Sequence, residues 1–274
     1  MTDFSEIFSN FFMLRALVAG MALGLMLSYL GIFAVLKKMS FFSDGISHAS
    51  LAGIAAGLIL GINPFITALI FALLLAGIIY LFEKSGRLSA DAAIGIIFSA
   101  GIAVGVLFMN LNVSFQRDLN SFLFGNILSI RGEELWIIAS VSLIVFVFAF
   151  LARRRLALLS LDYEMSYASG VNTAAYQFIF YLVLAAAVVV GIKLLGIFLV
   201  SALLIIPVSS AKQFAFSFAS LEKFSVILAE LAVLSGLVIS YFLDWPTGAT
   251  IVLIATVFFL VSFVIGRLVH SRQP

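Results

Sequence analysis

The chain has no cysteine, four prolines, two tryptophans and two histidines in 274 residues, and only 10% of it is Asp, Glu, Lys or Arg. Without cysteine there are no disulfides and no thiolate metal ligands. Two histidines exclude, within one chain, the multi-histidine centres of soluble metalloenzymes. The scarcity of charge excludes an ordinary soluble domain, where about a quarter of residues are charged. A net charge of +2 is too small to argue for a nucleic-acid partner. Catalytic signatures are missing as well. No Gly-x-x-x-x-Gly-Lys-Ser/Thr loop is present, so the chain does not itself hold ATP by a P-loop. With no His-Glu-x-x-His and no Gly-x-Ser-x-Gly, an intramembrane enzyme has no motif in its favour.

What the chain has is apolar length. It is 64% hydrophobic, with a mean hydropathy of +1.25. No charge interrupts residues 16–36, 92–116, 165–192 or 245–266, and about 20 helical residues cross a bilayer. The expectation is an all-α polytopic membrane protein, one transmembrane domain over residues 1–274. About nine helices are read (eight to ten): 14–36, 45–62, 64–82, 92–111, 134–152, 173–192, 195–212, 223–243 and 247–268. Asp3 and Glu6 stand where a secretory signal carries basic residues, and no small-residue cleavage site follows. The first block therefore reads as a permanent span.

Lysine and arginine placement sets the orientation. With the amino terminus outside, eleven basic residues fall in the cytoplasm and four (Arg15, Arg117, Arg131 and Lys193) outside. Two connections exceed a simple turn. The outer one holds Asp118 to Leu128, apolar enough to dip back as a short interfacial or re-entrant helix. The cytoplasmic one holds Leu161 to Gly170, which reads as a short helix with Asp162 near its start and Gly170 just past its end. Parked between two spans, it reads as a docking element.

Asp44 and His48 are the most informative pair. They lie four residues apart at the mouth of an apolar segment, so a helix puts both on one face. An ionisable group in such a segment is costly and marks a pathway or a site. Carboxylate plus imidazole suits zinc or manganese. The plainer alternative is a helix start, with Ser43 or Asp44 as N-cap and His48 hydrogen-bonded one turn on. Two groups do not complete a four-ligand zinc site, but two copies across a twofold axis double them. Glu230, midway along the eighth span, lines a polar path or pairs with a neighbouring helix. Lys193 is explained by snorkelling to the interface, and His270 lies in a basic tail. Gly20 and Gly24, with Gly101 and Gly105, read as close-packing positions rather than a cofactor loop.

Six strings, in order, resemble those of the membrane permeases of metal-uptake ABC importers. They are Lys38-Met39-Ser40 to Asp44-Gly45-Ile46-Ser47-His48-Ala49; Asp91 to Ile96; Asp118 to Leu128 with Leu123-Phe124-Gly125; Asp162 to Gly170; Gly196-Ile197 to Leu204-Ile205-Ile206-Pro207; and Pro246-Thr247-Gly248 to Val252. The resemblance covers nearly the whole chain. It implies a homodimeric, non-catalytic permease of the bacterial inner membrane, similar in plan to the vitamin B12 and siderophore importers. A separate cytoplasmic ATPase binds the ATP, and an extracytoplasmic metal-binding protein delivers the ion. No cofactor is bound permanently; the ion is cargo. The resemblance further implies that Asp44 and His48 contact the metal, and that Leu161, Asp162, Met165, Ala168 and Gly170 belong to the ATPase-coupling element.

The wording of 41–51 and of Ile62-Asn63-Pro64-Phe65 is more similar to zinc-uptake permeases of Gram-negative bacteria than to manganese ones. The chemistry of Asp plus His admits zinc, manganese or iron. The rival reading is a proton-driven secondary transporter using Glu230 and His48 as a relay. One tension is left by the sequence. Asp44 follows Lys37 by seven residues, near a cytoplasmic end, whereas transport sites lie near the midplane.

Overall fold

A computed structural model describes residues 11–111, 132–170 and 172–270. The described residues form ten helices and no strand: α1 (Phe11–Leu36), α2 (Phe42–Leu60), α3 (Pro64–Lys84), α4 (Ala90–Leu111), α5 (Gly132–Leu161), α6 (Tyr163–Ala168), α7 (Thr173–Leu195), α8 (Ile197–Ala211), α9 (Phe218–Leu243) and α10 (Thr247–His270). By length and composition α1, α2, α3, α7, α9 and α10 can cross a membrane; residues 90–105 of α4 and all of α8 are shorter apolar helices. The expected segment Asp118 to Leu128 lies outside the described residues.

Boundaries follow local chemistry. Asn63 caps α3, its side chain accepting from Phe65 N at 2.9 Å, with Pro64 at the first helical position. The sequence places the start of α9 at 223, yet it begins at Phe218, because Ser217 and Ser220 form a reciprocal capping box. The end of α5 is expected at 152 but lies at Leu161. Arginines are good helix formers, so Arg153-Arg154-Arg155 leave the apolar layer without ending the helix. The expected break at 191–196 narrows to Gly196, whose φ of 79° separates α7 from α8.

Buried residues run around α1, α8 and the second half of α7, which form the centre. By contrast α3 and α10 turn apolar stripes outward, Ile66, Ile70 and Leu74 on one and Leu253, Val257 and Val264 on the other. Apolar side chains facing out are what a hydrocarbon solvent requires. Several glycines let helix backbones touch, Gly31 and Gly101 most closely. A Cβ on Gly31 of α1 would stand 2.0 Å from the Leu204 carbonyl oxygen of α8, and one on Gly101 of α4 would stand 2.5 Å from Ala49 Cα of α2. Small residues serve this purpose between spans. Gly24 faces α9 instead, and Gly105 meets nothing described within 4 Å.

At one end of the bundle the tips of α1, α3, α5 and α7 gather around Lys37, Lys38, Lys84 and Leu161. The α8–α9 turn, with Lys212, joins Leu36 and Leu161 there. At that end Tyr29 donates to Glu222 Oε1 at 2.6 Å, Arg153 reaches Glu222 Oε2 at 3.8 Å, and Arg153 covers the Phe150 ring. This knot ties α1, α5 and α9 together. Basic residues crowd this face, so the positive-inside rule makes it cytoplasmic.

Candidate functional site

In the short link 37–41 Met39 is fully buried while Lys38 and Phe41 are exposed, and α2 starts at Phe42. Its N-cap is Phe41, without a side-chain cap, so neither Ser43 nor Asp44 plays the capping role that the plainer reading assigns. No hydrogen bond joins Asp44 to His48. Instead Ser201 Oγ of α8 donates to Asp44 Oδ1 at 2.7 Å and lies 3.1 Å from Ser43 Oγ. His48 stands edge-on to Phe98 of α4, centroids 5.0 Å apart at 87°.

Asp44 and His48 face a cavity of about 300 Å³ shared with Phe41, Asp91, Ile94, Gly95 and Phe98. Gly45 makes this possible: a Cβ there would stand 2.9 Å from Ile94 Cγ2, so α4 closes against α2. Asp91, Gly95 and Phe98 follow at helical spacing, presenting a carboxylate, a gap and a ring to the cavity. Among the described residues, no three His, Cys, Asp or Glu side chains are grouped closely enough to hold an ion. One chain thus offers oxygen and nitrogen ligands but not a closed coordination shell.

The depth of the site follows from its neighbours. Ile94 is four residues into α4, and Ser201 is ten residues from the cytoplasmic end of α8. At 1.5 Å per residue these offsets are about 6 Å and about 15 Å. Asp44 therefore sits a short way in from the cytoplasmic helix ends, at the start of α2.

The other sequence-singled residues sit apart from this cavity. Both Glu230 carboxylate oxygens are buried without a hydrogen-bond partner among the described residues, with Oε1 close to Gly24 of α1. Leu161 closes α5 and is exposed. Asp162 caps α6, its Oδ1 accepting from Met165 N at 2.9 Å. Met165 and Tyr167 point outward while Ser166 is buried, Ala168 ends the helix, and Gly170 turns away with φ 77°. The sequence reading missed Ser201 and the cavity-facing role of Asp91. Asp91 was detectable, as an acid opening an apolar helix; a serine in an apolar run carries no such signal.

The profile of the ABC 3 transport family matches residues 9–266. The chain is 36% identical over 266 residues to the manganese import system permease protein ScaB of Streptococcus parasanguinis, covering 97% of this chain and 95% of that one. It is 30% identical over 247 residues to the high-affinity zinc uptake system membrane protein ZnuB of Haemophilus influenzae, covering 90% and 95%. Its fold is similar to a chain of PsaBC from Streptococcus pneumoniae, solved in complex with Fab, at a TM-score of 0.81 and 32% identity, covering 94% and 93%. The match spans the two helices that frame the cavity, the turn from α5 into α6 and the central α1–α8 pair alike, and the chain belongs to the ABC 3 transport family of membrane permeases.

Proposed function

We propose that the chain is the permease subunit of an ATP-driven importer for a divalent transition metal. Asp44 and His48 contact the ion during passage. The observation that carries the reading is their shared cavity, one turn apart on α2, with Asp91 on its wall. An oxygen and a nitrogen ligand per chain match borderline cations. Two copies facing each other supply two carboxylates and two imidazoles, and an incomplete shell per chain keeps binding weak enough for release. We read nine membrane crossings, in a plan similar to the vitamin B12 importers, with α6 lying on the ATPase.

In this mechanism a binding protein delivers the ion at the outer face. Closure driven by the ATPase, relayed through Leu161, Asp162, Met165, Ala168 and Gly170, changes the side to which the cavity opens. Zinc is the ion expected from the sequence wording around Asp44. Manganese is the second reading, favoured by the higher identity to ScaB than to ZnuB. The test is uptake into proteoliposomes holding the chain, its ATPase and its binding protein, with both metals in competition. ATP-dependent uptake lost in His48→Ala, with dimer and ATPase assembly intact, is the expected result. Unchanged uptake in that variant removes the site from the path, and uptake that follows a proton gradient without ATP supports the rival transporter.

A further inference from the structure

A second cavity, of about 490 Å³, opens on the cytoplasmic side among the ends of α1, α3, α5 and α7. It is separate from the cavity of Asp44 and His48, and of its lining only Leu161 belongs to the proposed coupling element. Lys37, Lys38 and Lys84 line it together with Glu83, Gln177 and Ser160. Its volume falls in the range of small-molecule sites.

The charges in this cavity do not cancel. The sole ion pair among the described residues is that of Arg153 with Glu222, so none of the three lysines has a carboxylate within 4.0 Å. Glu83 is engaged elsewhere: Gln177 Nε2 donates to its Oε2 at 2.7 Å, and the Tyr181 hydroxyl donates to the same oxygen. Two of the lysines rest on ring faces instead. Lys37 stands 5.9 Å from the Tyr181 centroid and Lys84 5.8 Å from that of Tyr80. Burial pushes the Lys37 ammonium below its usual range, with Glu83 pulling it partly back.

Lys38 adds an independent observation. Its φ is 58°, in the left-handed region, and Asp244 is the only other described non-glycine residue with positive φ. A branched-off side chain is disfavoured there and a glycine is not. Strained backbone of this kind persists where the side chain or turn has a use.

We propose that this cavity holds a phosphate group at the inner face of the membrane, supplied by an anionic phospholipid headgroup or by free phosphate. Three ammonium groups lining one cavity can approach separate phosphate oxygens, each forming a charge-assisted hydrogen bond. Basic cavities between spans on the cytoplasmic side are suited to headgroups. Leu161 also lines this cavity, so the occupant borders the turn that leads into α6. Occupancy therefore bears on how firmly that turn is held.

The test compares the wild-type chain with Lys38→Gly/Lys84→Gln in nanodiscs of phosphatidylcholine alone and with added phosphatidylglycerol. Lipid retention is read by native mass spectrometry and the unfolding midpoint by thermal melting. Lys38→Gly removes a charge at a position where glycine relieves strain, so the fold is expected to survive, and the midpoint in phosphatidylcholine verifies it. The expected result is retention of phosphatidylglycerol weakened at least about tenfold in the variant, from two lost lysines. Stabilisation of the wild type by inorganic phosphate in phosphatidylcholine discs, lost in the variant, assigns the site to the soluble anion. Equal retention by both proteins, with no response to phosphate, overturns the proposal. So does a difference that emerges only with the ATPase bound, which assigns the lysines to the subunit interface.

Discussion

Gly101→Ala is the most informative single change in the bundle. The added Cβ would stand 2.5 Å from Ala49 Cα, 2.8 Å from Ala49 N and 2.9 Å from Ala49 Cβ. Carbon atoms prefer about 3.5–4.0 Å, so α4 must retreat from α2 by roughly 1 Å. The obstacle is backbone, which cannot swing aside as a side chain does. Overpacking costs about 1–3 kcal/mol, and this case belongs at the upper end. The helix propensity of alanine returns at most about 1 kcal/mol. Gly77→Ala is the control: it is also inside a helix, but its Cβ meets only Phe178 Cε2 at 3.9 Å, an ordinary contact. It keeps the propensity gain without the clash. The two variants should therefore differ by roughly 2–3 kcal/mol, or several degrees of unfolding midpoint in detergent micelles. The clash also reaches the cavity of Asp44 and His48, because Ala49 follows His48 and Phe98 lies one turn before Gly101. Uptake should fall in Gly101→Ala and hold in Gly77→Ala. Equal midpoints within a degree would show that the helices are not in backbone contact, and the argument for the cavity's geometry would go with it.

Ser201→Ala removes the hydroxyl that holds Asp44 Oδ1; loss of a hydrogen bond that orients a ligand is expected to weaken metal affinity about 10–100-fold, and an unchanged dissociation constant by titration calorimetry refutes the orienting role. Asp162→Ala deletes the cap on Met165 N, at a cost of about 1 kcal/mol to a helix of six residues. Uptake per ATP hydrolysed should drop while the ATPase still co-purifies, and intact coupling speaks against α6 as the relay. Glu230→Leu removes two buried oxygens that lack partners among the described residues, so stability should rise by about 1–3 kcal/mol, read as a higher unfolding midpoint. A folded variant that loses uptake places Glu230 on the path instead.

The helices were legible because the bilayer demands long apolar runs, and because Pro64, Gly170 and the gap at Gly196 mark their ends in local chemistry. The start of α9 was not, since Ser217 and Ser220 act as a pair only once the turn forms. The same holds at the site. Asp44 and His48 stand out as polar groups in an apolar segment, with a spacing that a helix converts into a shared face. Their environment depends on contacts across the bundle: Ser201 arrives from a helix more than 150 residues away, at a sequence separation of 157. No periodicity announces which serine that will be. Glycines were read as packing positions, but sequence could not say that Gly101 presses on backbone while Gly105 meets nothing described.

The contact of Gly31 with the Leu204 carbonyl has a mechanical consequence. Helices that meet through side chains can slide as rotamers change; α1 and α8 have no such cushion there, so a tilt of one is carried by the other. One end of α1 leads into the lysines of the cytoplasmic cavity, and α8 carries the hydroxyl that holds Asp44. The pair forms a stiff beam joining the inner surface to Asp44, and any displacement of its tip is felt at that carboxylate without a soft link between.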